Sequence, residues 1–107
     1  TYGRDVESEA PWPQPFANYA EIIKQKGATA KYAQKLVKYY AGVMDVISEG
    51  GSALVINHGG VVEMGVIACL PKLDYSTWGD SVGYCEGARL FWEDGRFINA
   101  EVLRVSL

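Results

Sequence analysis

The sequence predicts an α/β fold, part of a three-layer α/β/α sandwich with a mainly parallel sheet and a C-terminal β-hairpin. Three observations predict it. The run Ala53-Leu54-Val55-Ile56 is apolar on both faces and is bounded by Gly50-Gly51 and Gly59-Gly60, the pattern of a strand buried between helices. Amphipathic helical stretches precede it, and an apolar helical stretch follows it. Near the end of the sequence, Glu93-Asp94-Gly95-Arg96 separates two alternating segments and marks a hairpin.

Taken in order, residues 1–15 read as an irregular Pro-rich arm and residues 16–107 as a single α/β domain. Pro11, Pro13 and Pro15 alternate, which forbids a helix there and favours extended chain, with Trp12 packing on the body. Phe16, Tyr19, Ala20 and Ile23 recur at helical spacing, so a short amphipathic helix spans 16–26 and stops near Gly27. Thr29 is then the expected amino cap of a longer helix over 30–48. Its apolar stripe is Tyr32, Leu36, Tyr39 or Tyr40, Val43 and Ile47, with Lys31, Lys35 and Lys38 mostly on the other side, a solvated face or, as the alternative, a basic surface for a phosphorylated substrate.

The segment from Val61 to Leu70 is apolar almost all round, Glu63 being its one charge. It reads as a buried helix that stops at Pro71. Residues 72–81 form a polar and aromatic loop, which Trp78 pins. Ala88, Leu90 and Trp92 then alternate with Arg89 and Phe91, and the strand returns over 97–105. Glu86-Gly87 marks a bulge or tight bend.

Composition narrows the function. With 49% hydrophobic and 21% charged residues, the chain is globular rather than disordered. A net charge of −3 argues against nucleic acid as its main partner. Cys69 and Cys85 read as reduced thiols, not a disulfide framework, and one histidine with two distant cysteines lacks metal-ligand spacing. No stretch is long enough to span a bilayer and no leader is visible, so the expected location is cytoplasmic, without a membrane partner and without a cofactor.

The chemistry concentrates at Asn57 and His58. The predicted strand ends there and the predicted helix begins, the edge where ligands bind in open α/β sheets. A helix amino terminus offers N–H groups and partial positive charge to an anion, and the two glycines permit close approach.

The order Leu54-Val55-Ile56-Asn57-His58-Gly59-Gly60-Val61-Val62 resembles the second-histidine motif of the histidine phosphatases, the superfamily that includes phosphoglycerate mutases. The resemblance covers roughly residues 16–105 and only the carboxyl-terminal half of such a protein. The family's Arg-His-Gly motif, which carries the phosphorylated nucleophile, does not occur here, and His58 is the one histidine.

The resemblance implies a phosphomonoester hydrolase or mutase acting through a phosphohistidine. His58 then stabilises charge on the transferring oxygens, the Gly59 N–H donates to phosphate, and Asn57 supports the imidazole. The nucleophile belongs to an N-terminal segment absent from these residues. The alternative is a non-catalytic phosphate-binding or association module. The implied partners are phosphate or a phosphorylated small molecule. A second copy, or the missing N-terminal half, is expected to cover the open sheet edge. The start at Thr1, without methionine, fits a fragment or processed chain.

Overall fold

The structure is a computed structural model that describes residues 4–105. In it, four helices and one hairpin follow one another: α1 (Arg4–Glu9), α2 (Phe16–Lys24), α3 (Ala28–Asp45), α4 (Val61–Cys69), β1 (Gly87–Glu93) and β2 (Arg96–Leu103).

The expected parallel sheet and three-layer sandwich are not what forms. Among the described residues the only sheet is the two-stranded antiparallel ladder of β1 and β2. The run 53–56, expected to be a buried strand, is irregular and lies on the surface, with Leu54 at 87% and Ile56 at 86% exposure. The physical reason is pairing. A strand needs a neighbour for its N–H and C=O groups, and neither strand of the one ladder present pairs with residues 53–56. An apolar sequence supplies the tendency but not the partner.

The helices follow the local signals more closely. Helix α4 ends at Cys69, just before Pro71, and buries seven of its nine residues, so it forms the centre of the core. Helices α2 and α3 pack on it, and Phe16, Tyr19 and Leu36 join its residues in one buried cluster. Gly65 brings α3 close, because a Cβ there would stand 2.7 Å from the Tyr40 ring. Helix α3 starts two residues earlier than expected. Gly27 is its N-cap, and Thr29 sits buried inside the first turn.

The carboxylate that satisfies this helix end comes from elsewhere. Glu9 of α1 accepts hydrogen bonds from the Ala28 N–H at 3.1 Å and the Thr29 N–H at 3.0 Å. Its negative charge suits the helix amino terminus. Residues 4–9, expected to be irregular, are therefore a short helix whose Val6 is buried and whose Glu9 caps α3.

The hairpin matches its sequence signal. Glu93 pairs with Arg96, and Asp94 and Gly95 take positive φ values of 54° and 77°, as a tight two-residue turn requires. The register slips between Phe91 and Trp92, so the irregularity falls inside β1 rather than at Glu86-Gly87.

Arg104 fastens the loop between α4 and β1. Its guanidinium donates to the carbonyls of Trp78, Asp80 and Ser81 and pairs with Glu86 at 3.0 Å. It also lies 6.0 Å from the centre of the Phe16 ring. Trp78 packs on Phe16 and Tyr75, so the loop is pinned as expected. The Tyr75 hydroxyl donates to the Leu70 carbonyl at 2.7 Å and thereby closes the C-terminus of α4.

Candidate functional site

The entry to α4 is built from Asn57 through Glu63. Gly60 adopts φ 91° and ψ −54°, a conformation that a side chain would resist, and it turns the chain into the helix. The Met64 N–H then donates to the Gly60 carbonyl at 3.0 Å, and the Val62 N–H to the His58 carbonyl at 3.3 Å.

Glu63 completes the turn. It is fully buried, and one carboxylate oxygen accepts the Gly60 N–H at 2.9 Å. Glycine has no side chain to reciprocate, so this is half of a capping box. The other oxygen accepts the Val82 N–H at 3.3 Å, which ties the helix start to the loop before β1. Glu63 is therefore a fastening residue, and the Gly60 N–H is already occupied by a protein carboxylate.

His58 and Asn57 are exposed, and Gly59 is half-buried. The His58 ring nitrogen Nδ1 lies 2.9 Å from the Gly59 carbonyl oxygen. A carbonyl only accepts, so Nδ1 carries the hydrogen, and in the neutral ring Nε2 carries the lone pair. The Gly59 carbonyl holds the imidazole at Nδ1. The Asn57 side chain accepts the His58 backbone N–H at 3.1 Å. It also lies beside the Tyr40 hydroxyl. Burial raises the Tyr40 pKa, and the Asn57 contact opposes that rise.

Gly59 lies under Trp12. A Cβ at position 59 would overlap the indole, with Nε1 the nearest atom. Trp12 is about half-exposed, at 48%, so one side of its ring covers the His-Gly-Gly turn while the rest faces solvent. The arm that carries it is anchored beside the core. Ser81 exchanges hydrogen bonds with the Gln14 backbone, and the Phe16 N–H donates to the Gly79 carbonyl at 3.1 Å.

The structure thus keeps Asn57, His58 and Gly59 together on the surface at a helix start. It adds three residues that sequence reasoning did not place there: Trp12, Tyr40 and Glu63. Only Glu63 had a local signal, three positions after Gly60. The other two arrive through tertiary packing.

Several other reactive groups are committed elsewhere or inert. Arg104 holds loop carbonyls, and Arg89 pairs with Glu101 at 2.8 Å. Burial pushes the Cys69 thiol up to about 12, which keeps it protonated at neutral pH. Cys85 is exposed, and both cysteines are free. Among the described residues, no three His, Cys, Asp or Glu side chains gather to hold a metal ion, and no helix is long and apolar enough to cross a membrane.

No known protein family, curated protein or solved structure matches this chain.

Proposed function

We propose that this chain supplies the second-histidine side of a phosphoryl-transfer site of the histidine phosphatase type, working in the cytoplasm on a phosphorylated small molecule. The nucleophilic histidine comes from an Arg-His-Gly segment outside these 107 residues. The carrying observation is the exposed His58 at the start of a nine-residue helix, its Nδ1 held by the Gly59 carbonyl. In this reading Nε2 faces the phosphoryl oxygens, and protonated imidazole offsets the charge that builds on them.

The test is phosphomonoester hydrolysis, with p-nitrophenyl phosphate, by the full-length protein containing these residues. His58→Ala is expected to lower kcat by about a hundredfold, the usual size of one lost transition-state donor. Wild-type turnover in the variant sinks the reading.

A second reading, an association module without turnover, is favoured by one observation. Leu54 and Ile56 stand almost fully exposed in consecutive i, i+2 positions, a surface that a second copy or an upstream segment would cover. Replacing both with glutamate is expected to turn a dimer into a monomer in light scattering. A particle mass unchanged from wild type removes this reading.

A further inference from the structure

A group of cations outside the ion pairs of the described residues lies away from His58, where α1 meets the first turns of α3. A cleft of about 260 Å³ opens there. Arg4 and Asp5 line it from α1, and Lys31, Tyr32 and Lys35 line it from α3. Val6 and Ala28 supply its apolar base. Three cations and one carboxylate give this cleft a net charge of +2, in a chain whose net charge is −3.

The arrangement is unfavourable as it stands. Lys31 and Lys35 are one helical turn apart, and like charges at that spacing weaken a helix. None of Arg4, Lys31 and Lys35 joins an ion pair among the described residues, whose pairs are Lys24 with Glu21, Arg89 with Glu101, and Arg104 with Glu86. Glu9, also from α1, is held by the Ala28 and Thr29 N–H groups, so it serves the helix end. The cations are therefore not there to satisfy the α3 terminus, and that terminus is not the attraction for a ligand.

The Tyr32 phenol forms a half-buried wall, and burial raises its pKa, so it remains uncharged beside the cations at neutral pH. An anion in this cleft would meet positive charge from two helices at once. A doubly charged one would balance the local +2.

We infer that the cleft between α1 and α3 is a binding site for a phosphate group, carried as inorganic phosphate or as a small phosphomonoester. It is separate from the His58 site and does not depend on the phosphatase reading.

The experiment titrates the ¹⁵N-labelled chain with inorganic phosphate and, in parallel, with O-phosphoserine, at low and constant ionic strength. Saturable amide shifts are expected at residues 5–6 and 28–35. Shifts at residues 58–61 report separately on the His58 site, so either reading can fail alone. Preferential binding of one of the two probes identifies the form in which the phosphate arrives. Lys31→Gln and Lys35→Gln are each expected to weaken binding about fivefold, the size of one near-surface charge contact. Lys38→Gln, outside the cleft, leaves the affinity unchanged. Asp5→Asn is expected to tighten binding, a gain that misfolding cannot mimic. The inference is overturned if neither probe gives saturable shifts at residues 28–35. It is equally overturned if Lys31→Gln and Lys35→Gln bind like Lys38→Gln, or if Asp5→Asn does not gain affinity.

Discussion

Trp12 lies on Gly59 so closely that the glycine's missing side chain is what allows the contact. The pair joins the Pro-rich arm to the turn that presents His58, across a long separation in sequence.

Gly59→Ala is therefore expected to lift the indole from the turn. The cost is about 1–2 kcal/mol in urea unfolding, typical of a methyl forced into occupied space. The same substitution in a Trp12→Ala background costs less, because the obstructing ring is gone. Equal costs in the two backgrounds would show that the contact has no energetic weight.

Glu63 is a fully buried carboxylate that satisfies two backbone donors, on Gly60 and Val82. Glu63→Ala leaves both without a partner and opens a cavity. A loss of about 3 kcal/mol is expected from equilibrium unfolding. Glu63→Gln retains one acceptor oxygen and is expected to lose less. Alanine and glutamine variants of equal stability would refute the fastening role.

Glu9 carries a pH dependence of known sign. Thr29, above all through its N–H, and then the Ala28 N–H hold its pKa below the ordinary value of 4.5. A carboxyl depressed in the folded state contributes stability that is fully present above its unfolded pKa. That share is lost as pH falls through the lower, folded value. The Ala28 and Thr29 amide resonances are expected to titrate together, with a midpoint below 4.5. Glu9→Gln is expected to flatten the titration. A midpoint at or above the ordinary value would contradict the cap.

What the sequence made legible is what neighbours along the chain determine. Asp94-Gly95 announces its turn because those residue types tolerate the backbone the turn needs. Pro71 stops α4 because it cannot continue the hydrogen-bonded ladder. Residues 53–56 failed for the opposite reason. Their β tendency is local, but strand formation depends on pairing with a distant strand, and neither β1 nor β2 lies beside them as a partner. Asn57, His58 and Gly59 were legible as a cluster because they are consecutive. Trp12 and Tyr40 were not, since nothing near either residue states what it will pack against. Glu9 as the cap of α3 was hidden in the same way, the donor helix and the acceptor lying on separate elements.

Arg104 gathers three carbonyls from 78–81 and the carboxylate of Glu86, and lies by the ring of Phe16. During synthesis, Phe16 emerges from the ribosome long before the residue that completes its surroundings. Helices α2, α3 and α4 are then exposed with an unfinished flank until β2 has been made. A nascent chain halted before position 104 presents Phe16, Tyr75 and Trp78 without the guanidinium that closes their loop, and such apolar surface is what chaperones bind.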